Sequence, residues 1–429
     1  MSGADRGTLT ARRAPGVYVT GAGVVAPNGL GLEPYWAAVL AGRHGIGPVT
    51  RFDASRYAAS LAGQIDDFHA PDHLPGRLLP QTDPSTRLAL TAAAWALEDA
   101  EVKPESMTDY DMGVVTANAY GGFDFTHREF RKLWTRGPKA VSVYESFAWF
   151  YAVNTGQISI RHGLRGPSSA LVAEQAGGLD AIGHARRTIR RGTPLVVAGG
   201  VDSALDPWGW VSQIAGGRVS TATDPDRAYL PFDRDAAGCV PGEGGATLVV
   251  EDGAAAAARG RHEVHGEIAG YASTFDPAPG SPRPAGLLRT ARMALDDAGL
   301  APGDIDVVFA DAAGVPDLDR AESDAIRRLF GTDGSGRADV AVTAPKAMTG
   351  RLYSGGGPLD VVTALLSIRD GVIPPTTATT AVPAEYGLDL VLGEPRTAPV
   401  RNALVLARGR WGYNSAVVVR RADKKESLT

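Results

Sequence analysis

Short apolar runs alternate with amphipathic stretches along most of the chain, and this alternation predicts strands and helices in α/β layers. Many of the runs are apolar at every position, as strands buried on both faces require. The predicted strands cover residues 17–20, 113–116, 195–198, 246–251, 306–310, 340–343, 403–407 and 416–420.

The chain also contains an internal repeat. Residues 96–104 and 294–302 share the same spacing of apolar, acidic and proline positions, and each segment leads through an acidic loop into an apolar strand. A second pair, 178–180 and 358–360, opens two predicted helices. Repeats at about half the chain length indicate two similar α/β halves rather than a solenoid. We place the N-terminal half at residues 17–258 and the C-terminal half at 259–421. Polar or charged ends at 1–16 and 422–429 are expected to be flexible tails.

Length and composition narrow the function classes. A chain of 429 residues is too long for a single small hydrophobic core. Its content of 44% hydrophobic and 21% charged residues is ordinary for a soluble protein. The net charge of −5 and the lack of a basic block argue against nucleic-acid binding. No apolar stretch long enough for a membrane span or a signal peptide is present. The single cysteine, Cys239, excludes an intrachain disulfide framework and indicates the cytoplasm.

Two short motifs suggest a cofactor or a metal without carrying either. Gly21–Ala26 follows a strand and matches a dinucleotide fingerprint, but a Pro-Asn-Gly sequence interrupts the helix that would hold the pyrophosphate. His69 and His73 resemble a metal pair, but Pro71 between them is expected to prevent the helix that would align them. We therefore expect no cofactor and no metal.

The most informative position is Gln175. It lies where a short apolar strand, an abrupt turn and a helix start follow one another within residues 166–180. A helix N-terminus favours developing negative charge, which is why enzymes place a cysteine or serine nucleophile at such a turn. A glutamine amide attacks nothing, so the setting is catalytic and the residue is not.

Two aromatic segments stand out. Residues 143–152 hold five aromatic side chains within eight positions: Tyr144, Phe147, Trp149, Phe150 and Tyr151. Such density is typical of a permanent subunit interface or a ligand wall, and we favour the interface. Residues 121–134 predict an amphipathic helix with Phe123, Thr126 and Phe130 on one face. From spacing alone, core packing is the commonest explanation of that stripe.

Several segments together resemble the β-ketoacyl-ACP synthases. The turn at Gln175, Pro345–Arg351 and Gly409–Ser415 resemble the three active-site stretches of that family, and residues 231–235 and 241–245 match further family segments. The resemblance implies a thiolase-like fold, with two duplicated α/β halves in a layered αβαβα arrangement. This implication agrees with the internal repeat.

The family catalytic residues are replaced. Where the family carries a cysteine and two histidines, the resemblance places Gln175, Arg351 and Tyr413, while Lys346 and Glu322 match a retained lysine and acid. Arginine stays protonated and tyrosine is a weak base near neutral pH, so neither supplies the acid–base chemistry of a Claisen condensation. Losing one member of a catalytic set usually costs about 10⁴–10⁶ in rate. The three replacements together indicate a site that has lost its catalytic function, which we call a retired site.

The finer resemblance is to the chain-length factors, or ketosynthase β subunits, of aromatic type II polyketide synthases. It implies a heterodimer with an active ketosynthase α subunit, loading from an acyl carrier protein, and a product tunnel at the subunit interface. The tunnel positions that it implies are Phe123, Thr126, Phe130 and Trp208.

Three alternatives remain open from the sequence. Glutamine-for-cysteine members of the family decarboxylate malonyl-ACP to supply primer, although they keep the histidines that this chain lacks. A purely structural stabiliser of the ketosynthase would show no effect on product length. A complete condensing enzyme would need a nucleophile that the residues around Gln175 do not provide.

Overall fold

A computed structural model describes residues 16–278 and 280–422 of the protein. The two predicted tails, 1–16 and 422–429, lie outside the described residues except for Gly16 and Ala422. The strands are β1 Val17–Ala26, β2 Gly29–Leu30, β3 Ile46–Pro48, β4 Leu61–Gly63, β5 Met112–Ala117, β6 Ser168–Leu171, β7 Leu195–Asp202, β8 Gly244–Asp252, β9 Gly266–Phe275, β10 Val307–Phe309, β11 Ala341–Thr343, β12 Val372–Ile373, β13 Asp389–Leu390, β14 Arg396–Thr397, β15 Asn402–Arg408 and β16 Tyr413–Arg420.

The helices connect these strands in the alternation that the sequence predicts. They are α1 Leu32–Leu40, α2 Ala70–His73, α3 Pro84–Asp99, α4 Phe123–Arg136, α5 Glu145–Ala148, α6 Val153–His162, α7 Gly177–Arg190, α8 Pro207–Ile214, α9 Gly253–Ala258, α10 Leu287–Ala298, α11 Pro316–Phe330 and α12 Gly356–Asp370. No helix in the described part of the chain has the length and apolar character needed to cross a bilayer.

The strand order repeats between the two halves. In the N-terminal half the order is β1-β8-β7-β5-β6, and in the C-terminal half it is β9-β16-β15-β10-β11, extended by β13. In each half the first two pairings are antiparallel and the next two are parallel. The two sheets meet through a short antiparallel pairing of β1 with β9. The duplication inferred from the sequence is therefore present in the topology.

Helices α7 and α12 lie between the two sheets, which gives the αβαβα layering. Helix α7 contacts β5 and β7, and α12 contacts β8 and β15. Alternate residues of one strand show the consequence: Val417 and Val419 pack into the central core, while Val418 packs against the outer layer with α10. Burial on both faces explains why these strands are apolar at every position.

Two local predictions differ from the structure. Pro71 does not prevent a helix, because it lies in the first turn of α2, where its missing N–H has no intrahelical partner to lose. Strand β9 was not predicted, because Gly270, Ser273 and Thr274 interrupt its apolar pattern. The boundary that we place between residues 258 and 259 falls between α9 and β9 and stays a prediction.

Candidate functional site

Gln175 is buried in a 3₁₀ turn, Glu174–Ala176, between the end of β6 and the start of α7. Glu174 has a φ of 50°, a left-handed backbone conformation that side chains other than glycine rarely adopt. A Cβ on Gly356 would lie 2.3 Å from Gln175 Nε2, so the amide packs directly against the first residue of α12. The abrupt turn inferred from the sequence is therefore real, and it is held by the close approach of the two central helices.

Two backbone N–H groups converge beside Gln175 on one carboxylate oxygen. Glu174 Oε2 accepts hydrogen bonds from Gln175 N at 2.9 Å and from Arg410 N at 3.1 Å. Paired N–H donors of this kind stabilise a developing oxyanion in acyl-transfer enzymes. Here the protein's own carboxylate occupies that position. The same negative charge would repel an enolate, so the geometry favours the retired site over a malonyl decarboxylase.

The loop that supplies Arg410 N is held close to the Gln175 turn. Its Gly409 is buried, and a Cβ at that position would lie 2.3 Å from Ala173 O, which requires glycine there. Gly409 N donates to Tyr413 O at 2.9 Å and closes the loop. The ring of Tyr413 packs on Phe275, with centroids 4.4 Å apart. Tyr413 thus reaches the site through its backbone, and the catalytic correspondence of its side chain stays a prediction.

Arg351 is buried and fixed by acidic and carbonyl oxygens. Its Nη2 lies 3.2 Å from Asp311 Oδ1, 2.7 Å from Arg408 O and 4.0 Å from Glu174 Oε2. Burial alone would lower the pKa of the guanidinium, but Asp311 and Glu174 outweigh it and raise the pKa well above its usual value. A cation held in this way cannot take up a proton from a substrate.

Glu322, which the resemblance matches to a family acid, belongs to the same charge network. It accepts from Asp311 N at 2.7 Å and Ala312 N at 2.9 Å, and pairs with Arg408 Nη2 at 3.0 Å. Burial raises the pKa of Glu322. Burial also acts to raise the pKa of Asp311, but Arg351 and Arg408 outweigh that effect and lower it. Glu322 is therefore a structural partner of a buried cation.

Lys346, which the resemblance matches to a family lysine, is buried and paired as well. Its Nζ lies 2.7 Å from Asp360 Oδ2 and donates to Ala310 O. Burial raises the pKa of Asp360 to about 6, with Lys346 acting in the opposite direction. The pair joins α12 to the end of β10, so this lysine holds the framework behind Arg351.

A cavity of about 580 Å³ opens beside this network, between the 409–414 loop and helices α10 and α11. Arg351, Asp311, Arg408 and Glu174 line it, together with Cys239. Burial raises the pKa of the Cys239 thiol to about 11, against a smaller opposing effect of Arg351. The thiol therefore stays protonated at neutral pH, and the protonated form is the weaker nucleophile. Within the described residues, no group of His, Cys, Asp or Glu side chains is arranged to hold a metal ion.

The structure brings three of the four tunnel positions into ring contact. The Trp208 ring centroid lies 5.2 Å from that of Phe123 and 5.6 Å from that of Phe130. Thr126 is buried on the same face of α4, and Trp208 is 43% exposed. Their assignment as a tunnel wall stays a prediction, but their convergence is a feature of the fold.

The aromatic segment 144–151 is only partly covered. Trp149 is 46% exposed, Phe150 is 48% exposed and the neighbouring Val143 is 80% exposed. Tyr144, Phe147 and Tyr151 are half-buried. Single exposed apolar residues are common on monomers, but a contiguous group is typical of an interaction surface.

Sequence reasoning missed three residues that build the site: Glu174, Asp311 and Arg408. Asp311 follows β10 and Arg408 ends β15, its parallel neighbour, so both lie at the carboxyl edge of paired strands, where α/β proteins place functional side chains. That signal was available in the sequence. For Glu174 no signal was available, because its role depends on the approach of Arg410 from the other half.

Two family models cover most of the chain. The β-ketoacyl synthase N-terminal domain matches residues 14–256 and the β-ketoacyl synthase C-terminal domain matches residues 265–380. The chain belongs to the β-ketoacyl synthase family. It is 79% identical to the actinorhodin polyketide β-ketoacyl synthase 2 of Streptomyces coelicolor over 405 residues, 94% of this chain and 98% of that one.

Solved structures of this family agree. The ishigamide ketosynthase/chain length factor matches with a TM-score of 0.86 and 26% identity, covering 96% of this chain and 100% of that one. A type II polyketide synthase acyl-carrier protein in complex with its ketosynthase, bound to the hexaketide, matches with a TM-score of 0.84 and 25% identity, covering 96% of this chain and 100% of that one. Within the β-ketoacyl synthase family, the chain groups with the chain-length factors of type II polyketide synthases.

Proposed function

We propose that this chain is the non-condensing partner subunit of a type II polyketide ketosynthase and sets the length of the polyketide in a tunnel at the subunit interface. The observation that carries the proposal is the occupied oxyanion position: Glu174 fills the place where an acyl intermediate would be stabilised, and Gln175 stands where its nucleophile would be. A chain in this state contributes binding surface rather than chemistry. It would act in the cytoplasm.

The proposed partner is an active ketosynthase α subunit that receives its substrates from an acyl carrier protein. Strand β6 supports this, because it ends the sheet and pairs only with β5 among the described residues. An unpaired strand edge exposes backbone N–H and C=O groups that can pair with a strand of another chain. The exposed Trp149 and Phe150 supply the apolar area that a permanent interface needs.

The proposed length gate is the ring cluster of Phe123, Phe130 and Trp208, with Thr126 on the same helix face. Phe123 and Phe130 are seven residues apart, about 10.5 Å along a helix axis. That distance spans several two-carbon units of a growing chain, so these side chains could stop growth at a defined length.

Reconstitution with the ketosynthase α subunit and an acyl carrier protein tests the proposal. Phe123→Ala and Phe130→Ala should release longer products from a folded complex, because the vacated space at a tunnel wall is open to the chain. Phe309→Ala is the matched control, since Phe309 is a fully buried core residue. It should lower stability by about 3–5 kcal/mol without lengthening the product.

Two results would reject the proposal. Unchanged product length in both gate variants, with a loss of stability like that of Phe309→Ala, would mean that the chain only stabilises its partner. Chain elongation by this subunit alone would mean that it is a complete condensing enzyme.

A further inference from the structure

Helix α4 carries a histidine between the two gate phenylalanines. Phe123, His127 and Phe130 occupy positions i, i+4 and i+7 of α4 and therefore share one face. The His127 side chain is 25% exposed, and its Nδ1 lies 3.0 Å from Asp206 Oδ1. A carboxylate can only accept, so Nδ1 carries the proton in this hydrogen bond.

Asp206 is the residue before α8, the helix that carries Trp208. It is buried, and its Oδ1 accepts from Trp208 N at 2.9 Å and from Gly209 N at 3.3 Å. One carboxylate oxygen therefore holds both the backbone of Trp208 and the ring of His127. The two walls of the ring cluster meet at this atom.

The other face of α8 has a separate anchor. Trp210 is fully buried and donates from Nε1 to Ala59 O at 3.0 Å. This contact fixes α8 to the segment just before β4 and does not involve α4. Within the described residues, His127–Asp206 is the side-chain hydrogen bond that joins α4 to α8.

We propose that the His127–Asp206 pair is a positioning device that sets the gap between Trp208 and Phe130 and thereby contributes to product length. This inference rests on the proposed function and adds residues that do not touch the growing chain themselves. Loss of the pair leaves α8 anchored by Trp210 and by Gln213, whose Oε1 accepts from the Tyr353 hydroxyl at 2.7 Å, and both anchors lie C-terminal to Trp208. The Trp208 ring can then withdraw from Phe130, and the pocket becomes longer and less defined.

The test uses the complex with the ketosynthase α subunit, and the measurement is the mass distribution of released products. His127→Ala removes the pair. Asp206→Ser keeps an N-cap for α8 but is too short to reach His127, so it separates capping from positioning. His127→Asn keeps an N–H donor near the position of Nδ1 and should restore the parent length. His44→Ala is the matched control, since it breaks a His–Asp pair of 2.8 Å with Asp226 at the surface.

Products longer by at least one two-carbon unit, or a mixture of lengths, in both His127→Ala and Asp206→Ser would support the inference, provided that His127→Asn and His44→Ala keep the parent product. Unchanged length in His127→Ala, with only a lower melting temperature or yield, would overturn it. Phe130→Ala separates this result from a failure of the gate. If Phe130→Ala lengthens the product and His127→Ala does not, the gate stands without the positioning pair. If neither variant changes length, both ideas fail.

Discussion

Arg351 Nη2 lies 3.2 Å from Asp311 Oδ1, and both side chains are buried. Arg408 approaches the other oxygen of the same carboxylate, at 3.2 Å from Nε to Oδ2. The position that the family resemblance assigns to a catalytic histidine therefore carries a cation neutralised by a structural acid. This ion pair therefore stabilises the fold. Its removal should lower the stability of the protein rather than its catalytic activity.

The first prediction concerns the buried charges. Arg408→Met should destabilise the protein by about 3–5 kcal/mol, because it removes the cation paired with the buried Glu322 and leaves Asp311 with Arg351 as its remaining guanidinium partner. Arg396→Met is the control: Arg396 pairs with Asp389, but both side chains are about a third exposed, so the cost should stay within about 1 kcal/mol. Thermal unfolding of the two variant complexes measures the difference. Equal losses would contradict the structural role of the network.

The second prediction concerns the Gln175 turn. Gln175→Cys should not elongate acyl chains when purified without a partner, because Arg351 supplies no base and Glu174 occupies the oxyanion position. Product analysis with malonyl- and acyl-loaded carrier protein is the measurement. Appreciable elongation by the single variant would show that the site is not retired.

A third prediction isolates the effect of Glu174. In a Cys239→Ala background, which removes the native thiol, the Gln175→Cys thiol should react slowly with iodoacetamide because a carboxylate lies beside it. Adding Glu174→Ala should speed labelling by about tenfold or more, since each unit of thiol pKa changes the thiolate fraction about tenfold. Equal rates with and without Glu174 would mean that its carboxylate does not govern the charge at this turn.

The fourth prediction concerns assembly. Trp149→Ser combined with Phe150→Ser should improve the solubility of the chain expressed alone and weaken its binding to the ketosynthase α subunit, because both exposed rings are removed. Leu392→Ser removes a single exposed side chain near the opposite end of the sheet and should change neither property. Size-exclusion chromatography and pull-down report the two effects. Full binding by the double variant would place the interface elsewhere.

The fifth prediction concerns a larger side chain in the gate. Thr126→Leu should shorten the product by at least one two-carbon unit, because Thr126 is buried on the face of α4 that carries Phe123 and Phe130. Thr135→Leu adds the same atoms to an exposed position of the same helix and should leave the length unchanged. Product masses from both complexes decide the matter. A folded Thr126→Leu complex with the parent product would remove Thr126 from the gate.

The last prediction concerns pH. Burial lowers the pKa of His162 to about 4 from its usual value of 6.5, with Arg161 adding to the effect. Between these values the unfolded chain binds the proton more readily than the folded one, so stability is full above about pH 6.5 and falls as the pH drops toward 4. The loss at pH 5 should be about 2 kcal/mol from this group. His162→Gln should reduce the drop in melting temperature between pH 7.5 and pH 5, whereas His69→Gln, at an exposed position, should not.

Much of the architecture can be predicted from the amino-acid sequence. The fully apolar runs predict buried strands, because a strand covered on both faces is apolar at every position. The repeat at 96–104 and 294–302 predicts two similar halves. The repeated strand order confirms this reasoning. Strand β9 was not predicted, because Gly270 interrupts its buried part and Ser273 and Thr274 lie at its partly exposed end.

The site divides in the same way. The strand, turn and helix around Gln175 are local features, and so is the shared face of Phe123, Thr126 and Phe130, since both follow from chain geometry over one or two turns. The contact of Glu174 with Arg410, residues 236 positions apart, and the contact of Trp208 with Phe130 are not local. They depend on how the two halves and the helices α4 and α8 pack, and packing is settled by the whole fold, because the free energy of many distant contacts is optimised together.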